Sequence, residues 1–226
     1  MIGQLVLTAG GRGRAAPDSL YGLPVLRAEV ALEGFWGERR LRRACRALCR
    51  GRARRALVLR EDGLWSRLEE LGLRPVDPVP FLRAQAVPLA LADLARQGLA
   101  PDRAVVALRG TRAGRDMVRT AQALCPLVRA LIVDAPWGGA ELAAWLREEF
   151  GIPILPGGEQ GQTALRFQEG CPRPEAGSLD LYGPRPELAG LSLTAPALAE
   201  EDRAQLPLLA ALWEGGRLAR EDIKIT

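Results

Sequence analysis

Histidine and asparagine are absent from this chain of 226 residues, and its only lysine is Lys224. Each absence removes a kind of chemistry. Without imidazole there is no Ser-His-Asp or Cys-His proton relay. A typical catalytic zinc site, which takes at least one histidine ligand, cannot be assembled either, so no metal site is expected. With one lysine, at position 224, neither a Walker A loop nor a Schiff-base enzyme has its residue in place. No apolar run reaches membrane-spanning length, since Arg, Asp or Pro interrupts each one. Met1 to Ala9 lacks the basic and apolar regions of a signal peptide. The expectation is a soluble, cytoplasmic protein without a membrane partner. Oligomeric state leaves no mark in the sequence.

What is present is ordinary for a globular chain. Apolar residues make up 48% and charged residues 26%. The length suits one large α/β domain or two small ones. Arginine stands wherever lysine would usually face solvent, so arginine as a type signals no bidentate anion recognition. Four cysteines, Cys45, Cys49, Cys125 and Cys171, fit a reducing compartment as free thiols. Cys45 and Cys49 fall on the apolar stripe of one helix and read as small buried residues.

Ile2–Thr8 and Val25–Leu32 have strand character and flank a Gly/Arg/Pro loop at Gly10–Pro17, which suggests an antiparallel pair. A helix follows over about Glu38–Arg50. From Arg55 onward short apolar strands alternate with helices. Strands are expected at Ala56–Leu59, Arg103–Leu108, Ala130–Val133, Ile152–Leu155, Ala164–Phe167 and Leu179–Tyr182. Helices are expected at Leu64–Leu71, Pro80–Gln97 (broken near Pro88), Asp116–Leu124, Gly139–Phe150 and Glu200–Trp213. Such alternation implies βαβ units and a mostly parallel sheet covered on both faces. The fold class is therefore α/β, Rossmann-like, with an N-terminal antiparallel strand pair. Residues 1–54 would form the strand pair and basic helix, and 55–226 the core with a C-terminal helix.

Ala104–Asp134 reads AVVALRGTRAGRDMVRTAQALCPLVRALIVD. A strand runs into Gly110, Gly114 precedes a helix, and the next strand ends in Asp134. This outline resembles the dinucleotide-binding half of the Rossmann NAD(P)-binding superfamily. The resemblance implies a pyrophosphate at the helix N-terminus and ribose hydroxyls on Asp134, with NAD(P) as the cofactor. The family pattern is G-x-G-x-x-G/A, and Arg112 stands where its second glycine would be. The other functional reading is a simpler anion site at the helix N-terminus, made by Thr111, Arg112 and Arg115, for a mononucleotide or phosphate. A plain βα turn is the structural alternative. The loops Gly110–Arg115, Asp134–Gly139 and Pro156–Gln162 would line the crevice, with Asp180 and Tyr182 sharing one strand face.

Between Arg39 and Arg55 there are nine arginines and no acid, so against a total of +4 everything outside that stretch sums to −5. Arg39, Arg40, Arg42, Arg43, Arg46 and Arg50 avoid the apolar stripe and should face water, with Phe35 and Trp36 just ahead of them. Segregated positive charge is the form of a polyanion footprint, although no nucleic-acid motif accompanies it. Three functional classes remain open. The first is a Rossmann-like protein that binds a nucleotide-like or phosphorylated small molecule without catalysis of its own. The second is an NAD(P)-dependent oxidoreductase. The third is a polyanion- or nucleic-acid-binding or scaffolding protein acting through the arginine helix.

Overall fold

The chain opens with β1 (Ile2–Leu7), β2 (Arg12–Leu20) and β3 (Leu23–Val30), followed by α1 (Gly37–Arg50), β4 (Arg55–Val58), α2 (Trp65–Glu70) and β5 (Arg74–Pro75). These come from a computed structural model, which describes residues 1–59, 62–170 and 177–226. The five strands make one sheet in the order β2-β3-β1-β4-β5. An antiparallel pair is present at the N-terminus, but between different strands from those expected. β1 runs parallel to β3, and the supposed loop Gly10–Pro17 largely belongs to β2, which is antiparallel to β3. Most of β2 is exposed, so no apolar alternation marks it; it is an edge strand that carries Pro17 and charged side chains. Glycine lets its backbone lie close to its neighbours. A Cβ on Gly13, at φ +70°, would sit 2.5 Å from the Arg40 carbonyl oxygen. Helix α1 presses Leu41, Ala44, Cys45 and Leu48 onto Leu5, Ala28, Val30 and Ala56 of the sheet.

Next come α3 (Val79–Ala84) and α4 (Ala86–Arg96), the two pieces of the helix expected over Pro80–Gln97 with a break near Pro88. The break falls just past Ala84, the residue whose carbonyl the ring of Pro88 would meet in a continuous helix. A second, wholly parallel sheet follows. Its strands are β6 (Val105–Arg109), β7 (Ala130–Asp134), β8 (Ile154–Leu155), β9 (Thr163–Arg166) and β10 (Leu179–Asp180), with α5 (Arg115–Leu124) joining β6 to β7 and α6 (Gly139–Phe150) joining β7 to β8. Its order is β10-β9-β6-β7-β8. Counted from β6, that is the Rossmann order 3-2-1-4-5. The strands are buried on both faces, which is why they read as short uninterrupted apolar runs. The chain is thus α/β and Rossmann-like. The order reverses between β6 and β9, and the carboxyl ends of strands at such a point are where this architecture receives ligands.

β11 (Leu193–Thr194) precedes α7 (Leu206–Glu214) and pairs antiparallel with β12 (Lys224–Ile225). The last helix starts later than expected because Pro207 occupies its first turn. Glu200, Glu201 and Asp202 therefore lie in the preceding turn. There the Asp202 carboxylate accepts a 2.7 Å hydrogen bond from the Tyr21 hydroxyl. Two compact units result, Met1–Pro78 with Ala195–Ile223, and Val79–Thr194 with Lys224–Thr226. Among the described residues no helix is long and apolar enough to cross a membrane.

Candidate functional site

The last rung of the second sheet carries four charged side chains in register: Asp134 on β7, Arg109 on β6, Arg166 on β9 and Asp180 on β10. Side chains in register on parallel neighbours share a face. Two arginines therefore occupy neighbouring positions at the switch point, each paired with a carboxylate on its outer flank. Arg109 is fully buried. Its Nη1 donates to Asp134 Oδ2 at 2.6 Å and to the Gly157 carbonyl at 3.0 Å, and its Nη2 donates to the Glu159 carbonyl at 2.9 Å. Arg166 Nη1 donates to Asp180 Oδ1 at 3.0 Å, and its guanidinium lies 5.4 Å from the centre of the Tyr182 ring. A charge is tolerated at such depth only when it is paired and hydrogen-bonded. Sequence reading groups Asp180 with Tyr182 but misses both arginines. An arginine closing an apolar strand reads as a solvated end, and only the repetition after VVAL and TAL hints otherwise.

Beyond Arg109 the chain continues alongside its neighbour before α5 begins. Trp137 N–H donates to the Thr111 carbonyl at 3.3 Å, and Ala113 N–H donates to the Trp137 carbonyl at 2.8 Å. The β6–β7 pairing is thereby prolonged to a bridge between Arg112 and Trp137. Gly114 is the N-cap residue of α5. Gln168, two residues past β9, reaches across to this loop. Its side-chain oxygen accepts from Thr111 N–H at 2.8 Å, from the Thr111 hydroxyl at 2.5 Å and from Arg112 N–H at 3.0 Å. A Cβ on Gly110 would lie 3.3 Å from that oxygen and 2.9 Å from Met117 Cε, so a side chain there would have to displace the ends of Gln168 and Met117. Donors converging on one point suit an anionic or strongly electronegative acceptor. Here an amide oxygen occupies that point, and nothing in the local sequence announces Gln168.

Arg83 on α3 holds the same edge from below. It donates to the Phe167 carbonyl at 2.8 Å and the Leu181 carbonyl at 3.3 Å, and pairs with Asp116 in the first turn of α5 at 3.0 Å. Of the three loops expected at the crevice, Gly110–Arg115 and Asp134–Gly139 meet through Trp137. Gly157 and Glu159 of Pro156–Gln162 join through Arg109. Gln162 does not take part; its Oε1 accepts from Val105 N–H at 2.6 Å, at the amino end of β6. The residues present do not fit a dinucleotide in the superfamily's arrangement. Arg112 stands at the second glycine's place with its N–H on Gln168, and the Asp134 carboxylate is held by Arg109.

In the first unit Cys45 is buried, and desolvation pushes its thiol up to about 11, so it carries no thiolate near neutral pH. Among the described residues no cluster could hold a metal ion; Cys171 lies outside them. On α1, Arg39, Arg42, Arg43, Arg46 and Arg50 are exposed and Arg40 is half-buried. Arg40 donates to the Ala31 and Glu33 carbonyls at 3.4 and 3.5 Å. Glu38 pairs with Arg42 at 3.1 Å and also with Arg67. Arg39 lies 5.2 Å from the centre of the Trp36 ring. Arg43, Arg46 and Arg50 make no hydrogen bond or ion pair among the described residues.

No protein-family model and no curated protein matches the chain. Among solved structures, the L-tryptophan dehydrogenase from Nostoc punctiforme is similar over 63% of this chain and 42% of its own, at 14% identity and a TM-score of 0.30. The chain thus spans less than half the length of that enzyme. A likeness of that size carries no argument about function.

Proposed function

We propose that the chain binds a phosphorylated, nucleotide-like small molecule at the carboxyl ends of β6 and β9, without catalysis of its own. The observation that carries this reading is the convergence of Thr111 N–H, the Thr111 hydroxyl and Arg112 N–H on a single acceptor oxygen. A phosphate oxygen takes the place of the Gln168 amide oxygen, and the exposed Arg112 and Arg115 add charge from the same loop. The N-terminus of α5 supplies a favourable dipole for the anion. The oxidoreductase reading needs a dinucleotide on these residues, and the positions of Arg112 and Asp134 weigh against it.

Calorimetric titration with inorganic phosphate, AMP, ATP and NADP+ tests the proposal. At least one phosphorylated ligand is expected to bind. Gln168→Ala should tighten that binding by removing an internal competitor. Gln168→Glu should abolish it by fixing a carboxylate on the three donors, and Thr111→Val should weaken it about tenfold or more. Failure of every ligand to bind, or equal affinity in the Ala and Glu variants, would overturn the reading.

A further inference from the structure

The solvent face of α1 is a second surface, separate in residues and chemistry from the donor cluster at Thr111 and Arg112. Arg39, Arg43, Arg46 and Arg50 recur at intervals of four, three and four residues, so they form one line along the helix. Glu38 neutralises Arg42, and Arg40 is turned onto backbone carbonyls. Arg39, Arg42, Arg43, Arg46 and Arg50 line an open depression of about 500 Å³ on this face, in which Arg39, Arg43, Arg46 and Arg50 carry no carboxylate partner among the described residues. Phe35 and Trp36 stand at its N-terminal end. Phe35 is 91% exposed, Trp36 is 51% exposed, and their rings meet edge to face at 5.2 Å. An aromatic ring so fully in water contributes almost nothing to the core, and Arg39 already stacks on its partner.

We infer that this surface binds single-stranded nucleic acid, with phosphates along the arginine line and a base on Phe35 and Trp36. A positively charged track beside exposed aromatic rings is the general design for single strands, whose bases are free to stack. From Arg39 to Arg50 the helix rises about 16 Å, enough for roughly four nucleotides, the low end of such sites. A duplex hides its base faces and would use the charge but not the rings. A lipid surface is less well matched. Membrane-surface helices insert an apolar face, whereas Leu41, Ala44, Cys45 and Leu48 of α1 are sealed against the sheet. No sequence-reading motif accompanies the surface, so contacts are to phosphate and to the π-faces of any base.

The test is fluorescence anisotropy of the full chain with a labelled twelve-nucleotide oligothymidylate and its duplex, from 50 to 300 mM salt. The single strand should bind more tightly than the duplex, with a slope of log affinity on log salt of about −3, at roughly −0.7 per neutralised phosphate. Replacing Arg43, Arg46 and Arg50 together by Gln should cut affinity at least tenfold and flatten the slope by about 2. Replacing the same three by Lys, which keeps the charge, should leave the slope unchanged. Phe35→Ala should lower single-strand affinity about fivefold or more at an unchanged slope and leave the duplex alone. These side chains are exposed, so unaltered melting curves will certify the fold. The proposal fails if the single strand does not bind at 50 mM salt, if the Gln triple variant binds as well as the parent, or if Phe35→Ala has no effect. Phosphatidylserine vesicles that retain the chain with the same dependence on these residues, where the oligonucleotide does not bind, would reassign the surface to membranes.

Discussion

Asp134 shows how a residue found for one reason can serve another. Its place at the end of β7 fits the acid of a dinucleotide site, yet its carboxylate neutralises the fully buried Arg109. Removing one member of a buried pair leaves the other uncompensated, so Asp134→Ala should destabilise the chain by about 3–5 kcal/mol in urea unfolding. Replacing Arg109 and Asp134 together by Met and Leu should recover most of that loss. A ligand-binding defect in Asp134→Ala would therefore report the fold, and Gln168 is the cleaner position to probe. Asp134, Thr111 and Arg112 stand out in the sequence because a glycine pattern points at them. Arg109, Arg166 and Gln168 do not, because their partners lie on other strands or in the loop after β6 and only the folded sheet brings them together. The cysteines separate in the same way. Burial holds the Cys45 thiol up to about 11 while Cys49 is half-buried, so iodoacetamide at pH 8 should label Cys49 well before Cys45.

Among the elements, those with an apolar signature were legible and those without it were not. Gly139–Phe150 is found as read, and the strands of the second sheet lie within two residues of their expected bounds. β2 escaped because an exposed edge strand has no buried face to impose a period of two, and Gly13 and Pro17, with Gly10 and Gly11 just before it, imitate a loop. Missing it also inverted the relation of β1 to β3, since an added antiparallel strand between them makes the pair parallel. Helix α1 is the opposite case, with an apolar stripe and a basic face both plain in the sequence. Its two faces should respond to mutation independently. Leu48→Ala, at a fully buried position, should cost about 2–5 kcal/mol of stability. Arg46→Gln, at an exposed position, should stay within about 0.5 kcal/mol. Parallel denaturant titrations of the two variants would show both effects, and equal losses would contradict this division of the helix.

At the scale of the whole molecule the chain leaves its first unit at Pro78 and returns to it at Ala195, a path that no composition shift reveals. The returning segment is tied down at identifiable points. Tyr21 donates to Asp202, Arg55 makes a two-pronged pair with Glu214 at 2.8 and 2.7 Å, and a Cβ on Gly215 would lie 2.4 Å from Leu23 Cδ1. By strand alternation Ile2, Leu23, Val25 and Leu57 point away from α1, and all four are buried. The two polar ties carry opposite pH signs. Donation to Asp202 raises the Tyr21 pKa above its ordinary 10.0, so its contribution is complete below about pH 10 and is lost as pH rises through the raised value. Arg55 lowers the Glu214 pKa below its ordinary 4.5, so that contribution is complete above about 4.5 and is lost as pH falls through the lowered value. Each tie is partly exposed and individually small. The apolar face they help secure is not, and that decides how pieces of the chain behave. A fragment of residues 79–194 keeps all five strands of the second sheet and should fold alone, with a cooperative melt and a monodisperse profile on gel filtration. Residues 1–78 alone should expose the face that carries Leu23 and Leu57 and aggregate. Joining residues 195–223 to them through a flexible linker should restore solubility and a sharp transition. If residues 1–78 melted cooperatively without that segment, α1 and α2 would be sufficient cover for the first sheet, and the return of the chain would have no structural purpose there.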